Sequence, residues 1–154
     1  IKPGDIVFAD QFIDFTRQRK LSFYESFPAG DMKHTAMADP FDTNLRGELA
    51  AIADKQGIAF HNGGTIVTIE GPRFSTRAES LMFRSWGADM INMSIATEAV
   101  LANEAEVPYA VIAMSTDYDC WKTDTEPVSW EAVLQTFKKN VQKVLNILLA
   151  YTDA

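Results

Sequence analysis

Short β-rich apolar runs alternate with segments of helical period along nearly the whole chain, and this alternation restricts its fold more than any other feature. Ile6-Val7-Phe8-Ala9 and Gln11-Phe12-Ile13 follow a Pro-Gly turn, which predicts a strand over residues 5–15. From Asp42, the residues Leu45, Leu49, Ile52 and Ala53 recur on one helical face, and Gly57 stands at the C-cap position. Residues 58–60 and 65–69 read as strands, with His61-Asn62-Gly63-Gly64 between them as a hairpin turn. Thr76-Arg77-Ala78-Glu79 fits a capping box, and Leu81-Met82-Phe83 with Trp86 supplies the apolar face of the helix that follows. Residues 89–93 form a further short strand, and Thr97 is expected to cap a helix to about residue 105. Residues 109–114 are a continuous apolar run of the kind buried on both faces. Ser129 then caps a long helix whose Trp130, Val133, Leu134, Phe137, Val141, Val144, Leu145 and Leu148 form a stripe in need of a partner surface. The sum is an α/β fold with a mixed central β-sheet flanked by helices. Only residues 16–40 lack a period, and a loop of that length is uncommon without a function.

Composition removes whole classes of function. With 154 residues, 47% hydrophobic and 23% charged, the chain can bury one ordinary core and reads as a single domain. A formal charge of −7 argues against nucleic-acid or anionic-membrane partners, which require clustered Lys and Arg. The lone Cys120 cannot form an intrachain disulfide, which makes a cytoplasmic setting the expectation. No apolar run approaches the roughly 20 residues that span a bilayer. The chain opens on Ile1 just ahead of a strand, so upstream sequence is expected to have been removed, cleaved or left out.

In open α/β sheets ligands sit beyond the C-terminal ends of strands, which singles out three segments. In Glu70-Gly71-Pro72-Arg73-Phe74-Ser75, Gly71 and Pro72 permit a sharp turn, and Phe74 offers a flat face for a heteroaromatic base. A plain structural turn with Phe74 in the core and Arg73 solvated is the competing reading. In Asn92-Met93-Ser94-Ile95-Ala96-Thr97-Glu98, hydroxyls and amides at a helix start suit a phosphate or a ribose hydroxyl, although Ser and Thr there commonly serve as caps. In Thr116-Asp117-Tyr118-Asp119-Cys120-Trp121, two acids beside bulky aromatics make a plausible proton donor, and spacing alone leaves a turn-capping Asp as an equal reading. His34 and His61 are too isolated for a metal cluster, and Cys120 lacks a local His partner for thiol catalysis.

Taken in order, residues 65–80, Trp86-Gly87-Ala88-Asp89-Met90-Ile91-Asn92-Met93 and Thr116-Asp117-Tyr118-Asp119-Cys120-Trp121 resemble the methylthioadenosine phosphorylases of the trimeric purine nucleoside phosphorylase family. The similarity runs from Lys2-Pro3-Gly4-Asp5-Ile6-Val7 onward and includes His34 and Met37-Ala38-Asp39-Pro40-Phe41. It implies a phosphorylase-type fold of which residues 1–154 are the C-terminal part, incomplete because the family's N-terminal phosphate-binding part is missing. It also implies phosphorolysis of 5'-methylthioadenosine to adenine and 5-methylthioribose 1-phosphate, with inorganic phosphate as co-substrate and no cofactor or metal. A related purine nucleoside or methylthioinosine phosphorylase, or a non-catalytic purine-binding fragment, is the alternative.

The resemblance places Asp117 at the purine N7, with Asp119 beside it and Phe74 and Ser75 lining the base site. Met93 packs on the ribose and Ser94 contacts phosphate or sugar. Val128, Trp130 and Val133 border the methylthio end, while His34 reaches into a neighbouring subunit of a homotrimer or a multiple of one, in which a separate N-terminal chain could complete the fold. Three positions depart from the family pattern: Ser94 replaces Thr, Thr97 replaces Pro, and Trp130 is bulkier than expected.

Overall fold

In a computed structural model, residues 1–124 and 129–153 are described. The order is β1 (Ile6–Phe8), β2 (Gln11–Phe15), α1 (Thr43–Lys55), β3 (Phe60–Asn62), β4 (Thr65–Ile69), α2 (Arg77–Ser85), β5 (Met90–Asn92), α3 (Ile95–Glu104), β6 (Ile112–Met114) and α4 (Trp130–Thr152). The mixed α/β class expected from the alternation is what forms. Its strands divide into two three-stranded sheets, ordered β3-β1-β6 and β2-β4-β5. The first is mixed, with β1 parallel to β3 and antiparallel to β6. The second is parallel throughout.

Two sequence expectations change together here. The single strand over residues 5–15 is broken at Ala9-Asp10, and the hairpin at residues 61–64 is absent, because β3 and β4 pair with β1 and β2 instead of with each other. The two chain segments run side by side and step from one sheet to the other at the same level. Gly63 N–H donates to the Phe8 carbonyl at 2.9 Å, Asp10 N–H to the Gly64 carbonyl at 3.3 Å, and Gly64 N–H to Asp10 Oδ1 at 2.7 Å. Gly63 and Gly64 hold φ of +120° and +148°, values that side-chain-bearing residues rarely adopt. The Gly-Gly pair thus signals the conformation that a hairpin also needs, but it serves a shared strand kink.

Strand β4 lies between β2 and β5 and, like β1 at the centre of the other sheet, is buried on both faces, with Ile66, Val67 and Thr68 at or near zero exposure. Its Val67 and Ile69 pack with Phe83 of α2, while Ile66 meets Ile95 and Ala99 of α3. Strand β6, expected to be the doubly buried one, is only half-buried, because it forms the edge of its sheet and borders a cleft. A third cluster joins Ile6 and Phe8 of β1 to Leu49, Ala50 and Ala53 of α1 and Ile147 of α4. Burying an apolar side chain of the size of Phe8 stabilises by about 1.5–3 kcal/mol. Helix α4 therefore docks along Asn140, Val144 and Ile147, whereas much of the anticipated stripe stays exposed, including Trp130, Leu134, Phe137, Leu145 and Leu148. Among the described residues no helix is long and apolar enough to cross a membrane.

Candidate functional site

The ends of β4, β5 and β6 open on one cleft of about 1110 Å³. Phe74, Ser75, Met93, Ser94, Asp117, Asp119 and Val133 all line it. The sequence segments that were only individually suggestive are thereby brought to a single cavity.

After β4, Gly71 turns the chain at φ +67°, and a Cβ there would lie 2.7 Å from Met93 Sδ. Glycine lets the turn lie directly against the methionine. Phe74 follows, half-exposed at the cleft. Arg73 is exposed to solvent, and its guanidinium also donates to both Glu79 oxygens at 2.7 Å. Glu79 also accepts from Thr76 N–H at 2.7 Å, and Thr76 Oγ1 accepts from Glu79 N–H at 3.2 Å, which completes the capping box anticipated for α2. Arg73, and next the Thr76 amide, lower the Glu79 carboxyl from 4.5 to about 2. A depressed carboxyl contributes its stabilisation in full above about pH 4.5 and loses it as pH falls through about 2. Arg73→Ala is expected to flatten the dependence of unfolding free energy on pH within that window, measured by urea denaturation at stepped pH. An unchanged slope would show that the pair contributes nothing.

The preceding residue, Glu70, accepts from Arg17 N–H at 2.7 Å, Gln18 N–H at 3.2 Å and Arg19 Nε at 3.0 Å. These bonds hold its carboxyl below the usual range, the Arg17 amide foremost. They also tie the start of the irregular 16–40 segment to the site.

After β6, Asp117 closes an Asx turn: Oδ1 accepts from Asp119 N–H at 2.8 Å and Oδ2 from Thr116 Oγ1 at 2.7 Å. Asp119 adopts φ +55°. Its Oδ2 and the Oγ of Ser75 are buried with no hydrogen-bond partner among the described residues. An unpaired buried polar atom costs about 1–3 kcal/mol, and both residues line the cleft. The loop rests on α2 and the turn before it through Arg77 Nε donating to the Cys120 carbonyl at 3.3 Å, the Cys120 thiol donating to the Ser75 carbonyl at 3.3 Å, and the Arg84 guanidinium 4.0 Å from the Trp121 ring centre. Burial, with the Asp119 charge next, pushes the Cys120 thiol up, which favours the protonated form over a nucleophilic thiolate.

Two further candidates lie elsewhere. Trp130 opens α4 and is 61% exposed outside the cleft lining, and His34 sits exposed in the irregular segment. Val128 lies outside the described residues. The cleft also contains Phe137, read from the sequence only as part of the α4 stripe, and Asn92, which opens a singled-out segment without a role of its own. Phe137 follows Val133 by four residues and so shares its helical face, a spacing visible in the sequence. Asn92 is marked only by its place at the end of a strand. Among the described residues no group of three or more His, Cys, Asp or Glu could hold a metal ion.

A family model described as the phosphorylase superfamily matches residues 1–153. The chain is 54% identical over 151 residues to an S-methyl-5'-thioadenosine phosphorylase of Danio rerio and 52% identical over 151 residues to one of Xenopus tropicalis. These alignments cover 97% of this chain and 54% of each relative, so the chain spans about half the length of the relatives it matches. Among solved structures, the methylthioadenosine phosphorylase of Schistosoma mansoni in complex with adenine matches at 40% identity and a TM-score of 0.88, covering 96% of this chain and 58% of that one.

Proposed function

This chain belongs to the phosphorylase superfamily, and on that footing we propose that it forms the C-terminal, base- and sugar-recognising part of a cytoplasmic enzyme that phosphorolyses 5'-methylthioadenosine. The observation that carries the reading is the convergence of Phe74, Met93, Ser94, Asp117 and Asp119 on one cleft, with unpartnered polar atoms of Ser75 and Asp119 buried beside it.

In this reaction a phosphate oxygen attacks C1', the C1'–N9 bond breaks, and its electron pair passes into the purine. Charge develops on the departing base while the sugar becomes cation-like, so a proton delivered to N7 lowers the barrier where charge accumulates. The Asp117 carboxyl donates that proton. Adenine presents a donor at N6 next to the acceptor N7, and one carboxyl group can accept from the first while donating to the second. A 6-oxopurine presents two acceptors there and would leave the carboxylate facing a carbonyl. Phe74 stacks on the base, Met93 packs under the ribose, and Ser94 binds phosphate or sugar. Val133 and Phe137, which line the cleft, border the methylthio end. His34 reaches a neighbouring copy in a homotrimer, and the exposed Phe23, Tyr24 and Met32 of the same segment supply apolar contact area for that neighbour.

The test is phosphate-dependent release of adenine from 5'-methylthioadenosine by the protein that carries this chain, with any upstream segment present. Release is expected with phosphate and at background without it. Release that ignores phosphate, or faster turnover of 6-oxopurine nucleosides, would contradict the proposal.

A further inference from the structure

We propose that Thr68 is a positioning residue for the sugar and phosphate side of the cleft, capping α3 in place of Ser94 and so leaving the Ser94 hydroxyl for the ligand. This rests on the phosphorolytic reading for what Ser94 binds, but not for who caps the helix. The first amides of a helix have no partner within it, and a serine at the N-cap ordinarily accepts from the second or third of them. Ser94 occupies the N-cap of α3, yet its φ of −137° and ψ of −31° leave its side chain without a capping bond.

The missing acceptor comes from the neighbouring strand. Ala96, the second residue of α3, donates its N–H to Thr68 Oγ1 at 3.1 Å. The Thr68 hydroxyl donates in turn to Asn92 Oδ1 at 2.8 Å. Thr68 has no solvent exposure, and it faces Asn92 in register across β4 and β5. A hydroxyl has one proton to give, and here both that proton and an acceptor position are used on protein groups. Thr68 therefore serves only internal partners, while Ser94 is exposed at the cleft and Asn92 lines it. One buried hydroxyl thus fixes the start of α3, holds the Asn92 amide, and frees the hydroxyl of Ser94.

Two measurements test this. In thermal unfolding, Ser94→Ala is expected to leave Tm within about 1 °C, whereas Thr68→Val lowers it by roughly 3–8 °C and Thr68→Ser by far less. In steady-state assays at a temperature where every variant is folded, Thr68→Val and Ser94→Ala each raise the KM for inorganic phosphate by about 10-fold. Thr68→Ser restores it, and the KM for nucleoside moves much less. If Thr68→Val does not fold, the Thr68→Ser and Ser94→Ala arms carry the comparison. The proposal is overturned if Ser94→Ala lowers Tm as much as Thr68→Val does, because Ser94 would then be the cap. It is equally overturned if the phosphate KM of either variant stays within twofold of the unmodified protein. Should the unmodified protein release no adenine, the phosphorolytic reading fails while the Tm comparison still decides the capping.

Discussion

Asp117→Asn is expected to slow phosphate-dependent adenine release from 5'-methylthioadenosine by about 100- to 1000-fold, the usual consequence of removing a group that transfers a proton or stabilises charge in the transition state. The side chain keeps its size, and its one oxygen can still accept the bond that Asp119 N–H gives to the aspartate, while the bond from Thr116 Oγ1 to the second carboxylate oxygen is lost, because an amide nitrogen does not accept. The turn should therefore survive, and Tm should change little. What is lost is the acidic proton, together with the match to adenine's donor-acceptor edge. The amide NH2 carries two N–H donors for the two acceptors of a 6-oxopurine, and it no longer opposes a 6-carbonyl with negative charge. The ratio of 6-oxopurine to adenine turnover should consequently rise by roughly 10-fold or more, the scale set by leaving one buried polar edge mismatched. Rates and ratios within twofold of the unmodified protein would remove Asp117 from the chemistry.

Gly71→Ala should harm both stability and substrate binding. At φ +67° an alanine is held in the left-handed region, at a cost of about 1–2 kcal/mol. In addition, its Cβ would sit 2.7 Å from Met93 Sδ and 3.4 Å from Met93 Cγ. Methionine is adaptable, so the contact is relieved by displacing Met93 from the place where it underlies the ribose. The expected result is a Tm lower by roughly 3–8 °C and a nucleoside KM raised about 10-fold. Gly57→Ala is the matched control, because Gly57 has the same φ of +67° with nothing within 4 Å of the added carbon. It reports the backbone cost alone and should leave KM unchanged. Equal effects at the two glycines would mean that Met93 is not displaced.

Much of the fold was legible where the signal is local. Thr76 and Ser129 cap their helices as read from the sequence, and Asp42 does the same for α1, each with a side-chain oxygen accepting from an amide of the first turn. Pairing was not legible, because Gly63 and Gly64 announce positive φ without saying whether the chain doubles back or changes sheets. The helix after β5 shows a related limit: Thr97 looked like its cap, but α3 begins at Ile95 with the capping hydroxyl supplied by Thr68, distant in sequence. Thr97 lies in the first turn instead, its buried Oγ1 without a partner among the described residues. Each site segment, read alone, was as compatible with a turn or a cap as with chemistry. Their juxtaposition depends on β4 and β5 lying side by side in parallel and on β6 reaching the cleft from the other sheet, which no single segment encodes. For α4, apolar periodicity described a stripe wider than the surface that α1 offers. The docked line passes through the polar Asn140, which an apolar pattern would not select.

The central claim is that this cleft recognises a 6-aminopurine through Asp117, and a crystal structure of the protein with adenine and phosphate tests it most directly. The account predicts the N6/N7 edge within hydrogen-bond distance of the Asp117 carboxyl, the Phe74 ring stacked on the base, and the phosphate beside Ser94. Adenine bound away from Asp117, or with its N6/N7 edge turned to solvent, would contradict it.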